Sequence, residues 1–139
     1  MKTTIKILNS ITSNNRYTFL LKIEVISSNK SNPKVVYALK ENPSTRSVTE
    51  IIKTTNGGLS WDVLFAPSAI GMESFSRNQA WYDLSIAVDP QDENRVFIGG
   101  VDVLLTENGG ESWEQISQWF GGQGIQFVHA DQHLVRFLD

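Results

Sequence analysis

The chain contains no cysteine, which excludes a disulfide framework, a thiolate metal site and a thiol nucleophile. It leaves cytosol and periplasm equally open. Positive charge is also scarce: 12 Lys and Arg stand against 15 Asp and Glu, a formal net charge of −3, and the lysines form no run. The sequence therefore lacks a basic footprint for a nucleic-acid partner. No apolar run approaches the ~20 residues of a transmembrane helix, so no membrane partner is expected. Residues 1–10 carry lysines but not the continuous apolar core of a signal peptide. Glycine pairs occur at Gly57-Gly58, Gly109-Gly110 and Gly121-Gly122. None is followed by Lys-Ser/Thr, which excludes a phosphate loop. What remains is a 139-residue, β-rich chain of the length of one ordinary domain.

Within it one octapeptide occurs twice. Residues 54–61 read Thr-Thr-Asn-Gly-Gly-Leu-Ser-Trp and residues 106–113 read Thr-Glu-Asn-Gly-Gly-Glu-Ser-Trp, each followed by an acidic residue. Trp61 and Trp113 are 52 positions apart (113 − 61). Recurrence near such a period points to solenoids, propellers or arrays. Asn-Gly between apolar runs is a strong hairpin signal, because a type I′ turn needs positive φ at both central residues. The Thr hydroxyl and the Asn amide can bond backbone donors inside the turn. The indole that follows can fold back beneath the glycines, so each copy reads as a self-capped hairpin.

These residues resemble the Asp-box of the BNR-repeat family, whose pattern is Ser/Thr-x-Asp-x-Gly-x-Thr/Ser-Trp. Asn56 and Asn108 stand where that family usually has Asp, and Ser60 and Ser112 fill the Thr/Ser position. The resemblance implies a structural role for Thr54, Asn56, Gly58, Ser60 and Trp61, and for Thr106, Asn108, Gly110, Ser112 and Trp113. It also implies an all-β fold of four-stranded antiparallel propeller blades, with the boxes on the hairpins joining third and fourth strands, away from the ligand face. Sialidases, xyloglucan-degrading glycosidases, sortilin-type receptors and photosystem assembly factors share such repeats. An extracellular or periplasmic location is implied by the family. A sialidase-type arginine cluster is not evident in Arg16, Arg46, Arg77, Arg95 and Arg136.

Periodicity supplies the strands. Residues 19–25 alternate apolar and polar from Leu21 onward, the mark of a half-buried strand. Strands over 34–39, 48–53 and 61–65 complete a first unit, 19–65. A more compact second unit, 81–117, has strands over 84–88, 95–99, 101–106 and 113–117. Aligning Val25 with Val88 places Ile23 on Ile86 and Leu21 on Leu84. Residues 3–8 read as the outer strand of a preceding unit, and 126–137 as the inner strand of a following one. Propellers typically close with 4–8 blades, so this is an incomplete propeller. The reading favours a fragment of a longer protein. The alternative is copies that close a ring by self-association through open edges, which invite pairing.

Chemistry is expected on the face opposite the boxes, in the connections 66–83 and 118–131. These hold Trp81, Tyr82, Trp119 and Phe120 beside Gln79, Gln123 and Gln126. Rings next to amides suit stacking on a pyranose; the plainer reading packs them between units. In the run His129-Ala130-Asp131-Gln132-His133, a strand would turn His129, Asp131 and His133 to one face. Alternate residues on a strand are ~6.5–7 Å apart, wide for three ligands of one ion, so no metal or other cofactor is assigned. His129 and His133 are candidate ligand contacts, and an Asp–His pair could serve as acid and base; a structural or hydrogen-bonding role on the channel-facing strand is the plainer reading. Asp83 and Asp131 fall at equivalent places in successive units, the arrangement in which glycosidases use one carboxyl as acid and one as base or nucleophile. Repeat equivalence explains them equally well without catalysis.

Two functions follow from the resemblance. One is a segment of a secreted glycosidase-like or glycan-binding protein, with polysaccharide contacts on the face remote from the boxes. The other is a non-enzymatic propeller that presents the same face to a protein partner.

Overall fold

The computed structural model describes residues 22–69, 74–122 and 124–138. The strand expected over 3–8, the start of the one expected over 19–25, and Gln123 lie outside the described residues. Among those residues there is no helix and the structure is all-β. The strands are β1 (Lys22–Ser28), β2 (Val36–Asn42), β3 (Ser47–Thr54), β4 (Asp62–Phe65), β5 (Ser85–Val88), β6 (Val96–Gly99), β7 (Val103–Thr106), β8 (Glu114–Gln115), β9 (Ser117–Gln118) and β10 (Gln126–Phe127). Strands β1 to β4 form one antiparallel meander and β5 to β8 a second. A short parallel pair joins β9 to β10.

Both meanders are built on one plan, which the ladders make explicit. Ser28 pairs with Val36 and Val36 with Thr54, just as Val88 pairs with Val96 and Val96 with Thr106. The strand 1–strand 2 turns match as well. Asn29 N–H donates to the Val35 carbonyl (3.1 Å) and Asp89 N–H to that of Arg95 (2.9 Å). This register equates Ser28, not Val25, with Val88. The alignment drawn from apolar alternation is thus three residues out. A bulge between Ile23 and Val25 breaks the alternation that the alignment relied on.

One apolar core lies between the two sheets. It contains Tyr37, Leu39, Ile51, Phe75, Val96, Ile98 and Leu104, each at most 1% exposed. The segment 74–83 straps the sheets together on the side away from the octapeptides. Val48 N–H donates to the Ser76 hydroxyl (3.0 Å), Ala80 N–H to the Arg46 carbonyl (2.9 Å), and Val101 N–H to the Phe75 carbonyl (3.2 Å). Phe75 is fully buried and touches the place where a Gly100 side chain would begin. Part of the long connection 66–83 is therefore core.

The expected inner strand over 126–137 is a strand only at Gln126–Phe127. The remainder crosses the second sheet without a ladder. Gln132 N–H reaches the Gly100 carbonyl (2.8 Å), and Phe137 meets Phe97 edge-on at 5.6 Å. No further strand follows among the described residues to pair with it, so its backbone takes isolated contacts instead.

The octapeptides close the opposite end. Thr54 Oγ1 accepts from Asn56 N–H (3.3 Å) and Gly58 N–H (3.0 Å) and donates to Asn56 Oδ1 (2.8 Å). Asn56 Oδ1 also accepts from Ser60 N–H (3.0 Å), and its Nδ2 donates to the Ser60 hydroxyl (2.7 Å). Thr106, Asn108, Gly110 and Ser112 repeat every one of these bonds within 0.1 Å. Positive φ falls on the two glycines of each copy, 73° and 93° in the first and 71° and 96° in the second. The left-handed pair is thus Gly-Gly rather than the expected Asn-Gly, because the Asn side chain is spent on bonds across the loop. Trp61 Cζ2 lies 3.7 Å from a Cβ placed on Gly58, and Trp113 Cζ2 lies 3.8 Å from one on Gly110. Each indole does lie beneath its turn.

Candidate functional site

At the far end of the second sheet, two chain segments meet. The strap delivers Trp81, Tyr82 and Asp83 just before β5, because Tyr82 N–H (2.7 Å) and Asp83 N–H (3.1 Å) both donate to the Gln79 carbonyl and wind the chain into a tight turn. The other segment, 128–133, follows β10. It is bent, with Asp131 at φ 71°, a left-handed conformation that Asp tolerates better than most residues. This overturns the arrangement expected of His129, Asp131 and His133: alternate side chains share a face only on a strand, and here the chain turns instead. The His129 ring meets the Ala130 carbonyl (3.1 Å), while the His129 carbonyl accepts from Gln132 Nε2. No group of three His, Cys, Asp or Glu among the described residues could hold a metal ion.

His133 packs edge-on against Tyr82, ring centroids 4.7 Å apart, and Tyr82 in turn touches Trp81 at 5.5 Å. Trp81 and Tyr82 remain 56% and 52% exposed. A Cβ on Gly99 would strike both the Ser85 hydroxyl (2.5 Å) and Gln132 Cβ (2.8 Å), so glycine here lets the two segments close on each other. The same closure sets Asp83 beside Asp131. Asp83 is fully buried, and neither of its carboxylate oxygens has a hydrogen-bond partner among the described residues. Burial, and then the negative charge of Asp131, push the Asp83 carboxyl up to about 7. Asp131 itself is half-buried. The pair combines a proton-retaining acid with a neighbour that meets solvent.

Trp119 and Phe120 form a separate ring pair, 5.6 Å apart. Arg77 lies over the Trp119 ring at 5.1 Å, and Asp102 accepts the Trp119 N–H at 2.8 Å. Asp102 is fully buried, and that burial raises its carboxyl above the usual range. Gln118 beside it is also fully buried, with both amide atoms unpartnered among the described residues. Asp102 and Gln118 are not among the candidates expected from sequence, and Arg77 is weighed there only as part of an arginine cluster. Asp102 had a visible signal, an acid in the turn between two apolar strands. Gln118 had one too, a polar side chain at the end of the last strand of its unit. Gln79 supplies its carbonyl to the turn, and Gln126 is exposed on β10.

A cleft of about 410 Å3 lies elsewhere, between β4 and the second octapeptide, where Leu64, Phe65, Gly110 and Trp113 line it. It holds none of the titratable candidates. No protein-family model matches the chain, and no curated protein resembles it closely enough in sequence to count as a relative.

Proposed function

We propose that the chain is a segment of an Asp-box β-propeller whose face remote from the octapeptides binds a glycan. The observation that carries this is the meeting of Trp81, Tyr82 and Asp83 with Asp131 and His133 from a distant part of the chain. Exposed rings offer apolar faces for the C–H side of a pyranose. A carboxyl that keeps its proton donates to a sugar hydroxyl, while an ionised one accepts. Of Asp83 and Asp131, half-buried Asp131 is placed to meet a sugar hydroxyl, while fully buried Asp83 stands behind it and is about half-protonated near pH 7. A hydrolytic reading, with one of Asp83 and Asp131 as acid and the other as base or nucleophile, is the less favoured, since Asp83 is fully buried. The two recurring sheets and their identically bonded octapeptides support the propeller assignment.

Affinity electrophoresis through gels containing soluble β-glucans, xyloglucan or sialylated polymers tests the binding reading. Retardation by at least one polymer, reduced about tenfold or more by Trp81→Ala and retained by Trp61→Phe, is expected. Equal mobility in all gels would reject it. A second reading, docking of a protein partner on this face, draws on the exposed Phe120, Phe127 and Leu134 nearby. Capture of a purified partner lost on Phe127→Ser but kept on Trp81→Ala would favour it.

A further inference from the structure

The segment 128–137 lies across the second sheet without joining it. Its backbone is tied there at Gln132, whose N–H donates to the Gly100 carbonyl (2.8 Å). Gln132 Cβ and Val135 Cγ2 lie 2.8 Å and 3.3 Å from a Cβ placed on Gly99, His133 packs on Tyr82, and Phe137 meets Phe97. No residue from 128 to 137 is fully buried, and none sits in a ladder. A segment with so little buried apolar surface opens locally, at lower cost than the sheets unfold.

Where this segment closes on the sheet, two carboxyl groups come together. Asp83 ends the strap, its N–H held by the Gln79 carbonyl (3.1 Å). Its side chain is fully buried, with both oxygens unpartnered among the described residues. Asp131 reaches it from the segment, at a left-handed φ of 71°. The other charged and titratable groups nearby are engaged elsewhere or face solvent. Arg77 on the strap lies over Trp119 and acts on Asp102, which accepts the Trp119 N–H. The His129 ring meets the Ala130 carbonyl, His133 packs on Tyr82, Arg46 and Arg136 are exposed, and β5 carries no charge. Asp131 is the charge that acts on Asp83. Two carboxyls that share one proton attract, whereas two ionised ones, with one of them out of water, repel.

We propose that Asp83 and Asp131 form a proton-operated latch, which holds the segment 128–137 on the second sheet while one of the two carboxyls is protonated and releases it when both are ionised. Release carries Asp131 and His133 away from Trp81 and Tyr82, so the rings and the solvent-facing carboxyl stand together in the latched form alone. The consequence for glycan binding rests on the reading proposed above; the latch itself does not. Latched, Asp83 keeps its proton up to about pH 7, and released it returns toward the ordinary 3.8. The latched form therefore holds a proton that the released form has given up between these values. Attachment is strongest below about pH 4, weakens toward pH 7 and is level above it.

Hydrogen exchange at the Gln132 N–H, corrected for intrinsic exchange and followed from pH 4 to 8 with no ligand present, tests the latch. Protection is expected to fall up to pH 7 by no more than about tenfold per unit, the limit for one proton, and then to level off. The amides of β2 and β3 should stay better protected at every pH. Asp83→Asn should remove the slope. Asp131→Asn, which tolerates the left-handed backbone, should reduce it, and it carries the test where circular dichroism shows Asp83→Asn to be unfolded. Because imidazoles titrate in the same range, the series is repeated with His129→Gln and His133→Gln combined, and the slope should remain. Protection independent of pH in the wild type would overturn the proposal. So would a slope unchanged by either Asn variant, a slope lost with the histidines, or exchange at Gln132 in step with β2 and β3.

Discussion

Thr54 and Thr106 do the same job in different surroundings, and the difference is measurable. Each is about 1% exposed and takes two backbone N–H groups. The glycines they hold are not equivalent: Gly58 meets only its own Trp61, whereas Gly110 sits against Leu64 of the other sheet. Alanine at either pays for left-handed backbone, about 1–3 kcal/mol. Gly110→Ala adds overpacking of about 1–3 kcal/mol. Urea unfolding should therefore rank Gly110→Ala as the more damaging, and equal midpoints would contradict the packing described. Asp83 gives a second residue-scale expectation. Its folded value of about 7 lies above the ordinary 3.8, so between these the folded state holds a proton that the unfolded state has released. Stability is then fully present below about pH 4, falls as pH rises toward 7 by up to about 1.4 kcal/mol per pH unit, and levels off above. Asp83→Asn should flatten that slope in melting temperatures taken from pH 4 to 8. A slope that survives the substitution would assign it to another group.

At the scale of the elements, the strap 74–83 links the sheets. Phe75 is fully buried between the two sheets, and its carbonyl takes the Val101 N–H. Phe75→Ala is expected to cost about 3–5 kcal/mol of unfolding free energy. A loss under about 0.5 kcal/mol, the level of a surface change, would show that the strap does not join them. Most of the strands were legible in sequence because alternation and turn chemistry agree with the fold. The expected 48–53 and 61–65 are close to the observed Ser47–Thr54 and Asp62–Phe65. The strap was not legible. Its residues form turns rather than a periodic element, and its bonds go to backbone more than 20 positions away, as from Val48 to Ser76. Nor was the fate of 126–137, whose alternation fits a strand but whose ladder partner is absent from the described residues. Alternation reports which face is apolar, not whether a neighbour is there to pair.

On the scale of the whole molecule, the two sheets put the octapeptides at one end and the titratable and aromatic candidates at the other. That polarity was expected from the resemblance, which places the connections between units opposite the boxes. What sequence could not reveal was which candidates converge. It grouped His129 with His133, whereas the folded chain sets His133 against Tyr82 and turns His129 to the Ala130 carbonyl. The four tryptophans report on the two ends separately, with Trp61 and Trp113 beneath the turns and Trp81 and Trp119 at the proposed glycan face. The most direct measurement is tryptophan emission during titration with the polysaccharide that retards the chain in gels. Binding at the remote face predicts a saturable change in emission that persists in the Trp61→Phe, Trp113→Phe double variant and is lost in Trp81→Phe. A change that disappears with Trp61 and Trp113 and survives loss of Trp81 would place the ligand at the octapeptide end and contradict the account.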